Sequence, residues 1–420
     1  MKWSFGIHGS LVLSTALSVV ARDWPQWRGP QRNGISQETG LLKEWPKDGP
    51  KLRWRVAEAG SGYSTPAVVG DRLYLLANEG LDHEFVQALA VKDGKRVWST
   101  DLGKVGNAKQ QPSFPAARST PTVEGELLYA LGSDGDLACL ERGTGKVRWQ
   151  KNLRVDFRGK PGEWAYSESP LIDGDTLLCT PGGNAATLAA LNKKTGQVLW
   201  QCALPEGDEA AYASAISVEV GGVKQYVQLL QKGLVGVEAN TGRFLWRYGK
   251  PVSRYGANIP TPVADQGYIY CAAAGTGAGV VKLQVKDGSV EPQQAYFAAN
   301  LPSAIGGTVK VGNFLYGTTG QAILCVEFAT GQVKWEERAL GAASLCCAGG
   351  RLYCHGENGD VLLVEPSPDS YREKGRFTPP AQPKHAPPME KAWAYPVVAN
   401  GSLYLRDHGT LWCYDVSAAN

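Results

Sequence analysis

Charge of one sign is scarce in this sequence: 43 Lys and Arg stand against 40 Asp and Glu, a formal net charge of +3, with no long basic run. Such a balance provides little counterion-release affinity for a polyanion, so no nucleic-acid partner is assigned. Methionine is nearly missing, at two residues, and the five His show no triad-like grouping with Ser and Asp. After residue 21 no apolar run approaches the ~20 residues that cross a bilayer, so no transmembrane segment is expected. The nine Cys are odd in number and none forms a C-x-x-C pair, so the common metal spacing is absent and at least one thiol is left unpaired. Cys139, Cys325 and Cys413 recur at one place in a repeat where Ala88, Ala190 and Gly236 stand elsewhere, and they read as small buried strand residues.

The abundant residues favour strands. Thirteen Trp and 17 Tyr suit a pleated surface, while 51 Gly and 25 Pro supply many turns, which together exclude a helical bundle. Residues 1–21 place Lys2 ahead of the apolar stretch Leu11-Val12-Leu13 to Val19-Val20-Ala21, the pattern of a signal peptide. Export to the periplasm or medium is the expectation, with a lead segment at 22–48 and the folded unit at 49–420. Ala21 is followed by Arg22, not by the Cys that a lipid anchor needs.

Self-similarity sets the architecture. Asp93-Gly94-Lys95-Arg96-Val97-Trp98 recurs as Thr144-Gly145 to Trp149, Thr195-Gly196 to Trp200, Thr241-Gly242 to Trp246 and Thr330-Gly331 to Trp335, with a degenerate copy at Asp287-Gly288-Ser289-Val290. A second signature precedes each copy, as in Ser64-Thr65-Pro66 and Ser119-Thr120-Pro121. A period near 45 residues with strand-and-turn chemistry is that of a propeller blade. Hairpin signals at Asp134-Gly135, Asn358-Gly359 and His408-Gly409 join the second and third strands of their units. First strands are expected near Ser64, Ser119, Ser169, Ser214, Thr261, Thr308, Ser344 and Tyr395. The last unit lacks a fourth strand, and Gly49 to Arg55, around Trp54, resembles a fourth strand without its first three. The predicted fold is all-β, an eight-bladed β-propeller of four-stranded blades closed by an N-terminal strand, with seven blades as the alternative. The Pro-rich stretch 365–388 reads as a long surface loop within it.

Ala190-x-Asn192-x-x-Thr195-Gly196-x-x-x-Trp200 resembles the pyrroloquinoline quinone (PQQ) repeat of eight-bladed quinoprotein propellers. The resemblance implies that Trp54, Trp98, Trp149, Trp200, Trp246 and Trp335 dock between blades, with the Gly making room. Asp23-Trp24-Pro25-Gln26-Trp27-Arg28-Gly29-Pro30 is similar to the opening of exported PQQ-like proteins of planctomycetes and verrucomicrobia, and more loosely to that of PQQ-dependent alcohol dehydrogenases. The propeller subunit of the outer-membrane β-barrel assembly machinery is a further similar protein, one without a cofactor. The dehydrogenase likeness implies quinone stacked on a vicinal disulfide and a Trp, above calcium. Here the vicinal pair Cys346-Cys347 falls in a first strand and no Asp base can be assigned.

A ligand on a propeller lies at the axial mouth, where the residues leading into each first strand converge. Aligned on Pro66, these are Tyr63, Arg118, Ser167, Tyr212, Ile259, Ile305, Ala342 and Trp393. With chain neighbours, the candidate ligand-binding set is Tyr63, Arg118, Trp164, Tyr166, Glu168, Tyr212, Arg254, Asn258 and Trp393. No metal is assigned, and the weak candidates for calcium are Glu163, Glu168 and Asn258. The expected function is an exported, monomeric, non-catalytic propeller that binds a protein, glycan or small ligand without a cofactor. The alternatives are a PQQ- and calcium-dependent oxidoreductase and an envelope assembly scaffold.

Overall fold

Each Ser-Thr-Pro signature turns the chain into an inner strand and at the same time ties one blade to the next. The Ser169 hydroxyl accepts the Thr120 N–H at 2.9 Å, the Ser214 hydroxyl accepts the Ser169 N–H at 2.9 Å, and the Thr65 hydroxyl accepts the Tyr395 N–H at 3.0 Å. Buried backbone donors between neighbouring blades are thus satisfied by short side chains on the axis, which accounts for the recurrence of Ser and Thr there. The computed structural model describes residues 23–106, 117–254, 256–286, 288–384 and 391–418, so the signal assigned to residues 1–21 lies outside the described residues.

Eight four-stranded antiparallel sheets form the ring. Seven are consecutive, spanning 67–103, 122–152, 171–202, 216–248, 263–298, 308–337 and 343–377. The eighth takes Val397–Ala399, Ser402–Asp407 and Thr410–Asp415 and is completed by Lys51–Val56, with Trp54 opposite Cys413. The N-terminal strand therefore closes the ring as the repeat count requires. The core lies between blades: Tyr129, Leu137 and Cys139 of the second blade pack on Leu177, Ala189 and Leu191 of the third. All nine Cys are buried and unpaired, Cys346 and Cys347 among them. Among the described residues the only α-helix is the four-residue turn Leu153–Asp156, and none is long and apolar enough to cross a membrane.

The repeat Trp residues dock as the resemblance implies, but they are half-buried, not enclosed. The indole N–H groups of Trp54, Trp98, Trp149 and Trp200 reach across to the carbonyls of Val91, Arg142, Lys193 and Ala239 in the following blade. One indole face lies over that blade's turn glycine: a Cβ at Gly196 would sit 2.8 Å from the Trp149 ring and one at Gly242 2.5 Å from Trp200. Trp246 departs from this pattern. It is 3% exposed and donates to Gln225 Oε1 of its own sheet at 2.6 Å. The next hairpin, Gly277–Lys286 with Ser289–Ala298, is ten residues a side, which carries the degenerate turn outward and leaves Gly288 with nothing within 4 Å of a Cβ. With no glycine seat in reach, the indole folds back. In that fifth blade Tyr296 takes the Trp place, packing over Gly331 and donating its hydroxyl to the Phe328 carbonyl at 2.9 Å.

One further expectation is corrected. The stretch 365–388 is not simply a loop, because Glu373–Phe377 is the fourth strand of blade seven. That strand was hidden because Gly375 stands where other blades have Trp, and Trp45 of the lead segment fills the gap, 5.1 Å from Phe377 and 5.8 Å from Tyr353. The lead segment, described from residue 23, packs along the propeller. Trp24 exchanges two 2.8 Å backbone bonds with Val68 of blade one, and the Pro25 carbonyl accepts Val123 N–H of blade two. Arg32 donates to the carbonyls of Ser169, Pro170 and Ala215 in blades three and four, Trp27 to Thr261 of blade five, and Arg28 to the Thr308 carbonyl of blade six. Ser36 and Gly34 pair with Cys347 of blade seven, and Glu38 accepts Asn400 and Gly401 N–H of blade eight. A single short segment thereby touches all eight blades and plugs the axis.

Candidate functional site

Above the plug the axis widens into a cavity of about 280 Å³. Seven of the eight aligned lead-in residues line it, Tyr63, Arg118, Ser167, Tyr212, Ile259, Ile305 and Trp393, with Ala342 outside. One residue per blade arrives there because the inner strands are entered by a similar turn, which points a residue three or four positions before the strand at the axis. Trp164, also expected, joins the wall.

Trp27 forms part of the floor, held by its indole N–H on the Thr261 hydroxyl at 2.8 Å and by an edge-on contact with Tyr395 at 4.6 Å. Tyr395 donates to the Ile305 carbonyl at 3.1 Å. Tyr63 lies against Trp393 at 5.0 Å, and Trp164 meets Tyr212 edge-on at 5.7 Å while the Trp164 backbone N–H donates to the Tyr212 hydroxyl at 3.0 Å. Burial pushes the Tyr212 phenol up to about 12. Trp393 donates to Glu357 at 3.0 Å, and Lys391 pairs with the same carboxylate at 2.5 Å. Arg118 donates to the Trp164 carbonyl, and burial pulls its pKa below the ordinary value while Tyr63 and Glu84 act to raise it.

The remaining candidates are elsewhere. Tyr166 is buried behind the wall, its hydroxyl on the Pro181 carbonyl at 2.7 Å. Glu168 is also buried, accepting the Thr180 N–H and the Gln228 amide, and its charge faces Arg32 of the plug. Asn258 pins its own loop, accepting Ser253 N–H at 2.7 Å and donating to the Leu230 carbonyl at 2.8 Å. Arg254 and Glu163 are exposed. The weak calcium candidates are thus dispersed, and among the described residues no group of three His, Cys, Asp or Glu could hold a metal. A quinone with three carboxylates would find one cation, Arg118, among the cavity walls, and Cys346 and Cys347 are buried in a blade. These residues do not fit a PQQ–calcium centre.

Trp27, Tyr395, Ser214 and Ala257 complete the lining and were not among the site candidates. Tyr395 and Ser214 occupy the Thr place of the Ser-Thr-Pro signature, a usable signal. Trp27 belonged to the lead motif, but nothing in its spacing says that it enters the ring.

An eight-bladed β-propeller with a plugged axis and an aromatic cavity at one mouth is the class these features define. The family model described as outer membrane protein assembly factor BamB matches residues 34–163 and 82–337, and the chain belongs to that family. Outer membrane protein assembly factor BamB of Shewanella oneidensis is 23% identical over 269 residues, covering 60% of each chain. That of Xanthomonas campestris pv. campestris is 26% identical over 184 residues, 43% of this chain and 41% of its own. Quinoprotein alcohol dehydrogenase PedH of Pseudomonas putida is 25% identical over 180 residues, 43% of this chain and 28% of its own. The chain thus spans less than two thirds of these relatives. The crystal structure of BamB from Moraxella catarrhalis superposes with a TM-score of 0.61 at 14% identity, covering 87% of this chain and 99% of that one. Quinohemoprotein alcohol dehydrogenase ADHIIG from Pseudomonas putida HK5 also gives 0.61, at 12% identity over 95% and 81%. At these identities the two structures bear on fold alone.

Proposed function

We propose that this chain is an exported, monomeric binding propeller that takes a small ligand into the axial cavity and does no chemistry on it. The observation that carries the reading is the cavity itself, walled by Trp27, Tyr63, Trp164, Tyr212, Trp393 and Tyr395 and closed below by the chain's own lead segment. Its described walls contain no His, Cys, Asp or Glu to act as base or nucleophile. Ile305→Trp, which fills the cavity, is the test: calorimetry against a small-molecule panel should show binding to wild type that the variant loses while keeping its circular dichroism. Binding that survives in the variant places the ligand elsewhere. An absorption band of bound quinone after incubation with PQQ and calcium would overturn the non-catalytic reading. The family match favours a second reading, an envelope assembly scaffold acting through its surface loops. Retention of a partner complex by Ile305→Trp would support it independently of the cavity.

A further inference from the structure

The polar groups around the cavity restrict what can enter it, an inference that rests on the binding reading above. Three of the six aromatic wall residues have their donors committed. Trp27 donates to Thr261, Trp393 to Glu357 and Tyr395 to the Ile305 carbonyl, and the Tyr212 hydroxyl accepts from Trp164. Trp27, Trp393 and Tyr395 thus present rings to the cavity, not donors, while the Tyr212 hydroxyl accepts here and keeps its proton to donate. A sugar would bury several hydroxyls against rings, each costing the desolvation of an unpaired polar group. A polycarboxylate would bury more negative charge than one guanidinium can offset.

Arg118 supplies the complementary feature. It lies deep in the ring yet keeps accessible surface, and that surface lines the cavity. A cationic ligand would suit six aromatic rings but would be repelled by this guanidinium. The volume of about 280 Å³ falls at the low end of small-molecule sites, so the ligand is compact. We propose that the axial cavity binds a compact aromatic monocarboxylate, its ring against the indole and phenol faces and its carboxylate beside Arg118.

The test is calorimetry of the full chain with benzoate, phenylacetate and indole-3-acetate, each paired with its neutral amide, and with glucose as the polar control. At least one acid should bind about tenfold more tightly than its amide, the worth of a charge-assisted hydrogen bond. Arg118→Gln should abolish that preference while the amide still binds, and Arg118→Lys should retain part of it. Should Arg118→Gln fail to fold, the acid-to-amide ratio of Arg118→Lys decides: a ratio unchanged from wild type overturns the role of Arg118. Equal binding of acid and amide, or stronger binding of glucose, overturns the ligand class while leaving the binding reading intact. No heat with any of these probes also overturns the ligand class, while the binding reading stands or falls on the wider panel with Ile305→Trp.

Discussion

Two buried glutamates show how a single residue can impose pH dependence on this fold. Glu84 accepts the Ser133 N–H at 2.9 Å and its hydroxyl, and Glu168 accepts from Thr180 and Gln228. Burial raises each from the usual 4.5 to about 7, more than these bonds lower it. The native state therefore binds more protons than the unfolded chain between those values. Stability from these groups is fully present below about pH 4.5 and is lost as pH rises through about 7. Each should cost about 1–3 kcal/mol at higher pH, since one pKa unit is worth about 1.4 kcal/mol. Urea midpoints measured from pH 5 to 8 should fall with pH in wild type, and less steeply in the Glu84→Gln, Glu168→Gln double variant. An unchanged slope would show that burial does not set these carboxyls.

At the level of elements, the decisive contact is a Trp at the edge of one blade seated on the turn glycine of the next. Because Trp149 is half-buried and Trp246 is 3% exposed, their truncations should differ. Trp246→Ala should cost about 3–5 kcal/mol, and Trp149→Ala less, in proportion to the apolar area removed from water. Gly196→Ala should also destabilise, by roughly 1 kcal/mol or more, since φ is +71° and the new Cβ meets Trp149. Equilibrium unfolding of the three variants at matched m-values checks the order. A Trp149→Ala loss as large as that of Trp246→Ala would mean that docking between blades, not enclosure, dominates.

For the whole molecule, closure and plugging are separable. Lys51–Val56 covers the edge of Thr410–Asp415, so its deletion should expose unpaired backbone groups and promote aggregation, seen by light scattering. Deleting residues 23–36 leaves every blade with four strands but removes Trp27, Arg28 and Arg32 from the axis. That variant should stay free of aggregates, melt at lower temperature and lose the cavity floor, and with it ligand binding. Aggregation of both variants to the same extent would show that the plug, too, is needed to hold the ring shut.

Periodicity makes most of this architecture legible in the sequence alone. Thr-Gly turns, Ser-Thr-Pro starts and the orphan strand at Trp54 are local signals, and each repeats the same backbone geometry, so counting them yields eight blades and a closed ring. The same locality put Tyr63, Arg118, Tyr212 and Trp393 around one cavity, because one turn type aims one residue per blade at the axis. What local signals could not convey was which side chains meet across the ring. Trp246 folds back because the neighbouring hairpin is long, Gly375 is tolerated because Trp45 arrives from more than 300 residues away in sequence, and Glu168 is buried opposite Arg32 instead of facing a ligand. The plug is the clearest instance. Nothing in Trp24 to Glu38 marks it as the axis of a propeller, since its hydrogen bonds go to backbone carbonyls and amides on seven blades and to the Thr261 hydroxyl of blade five, and those groups converge only once the ring has closed.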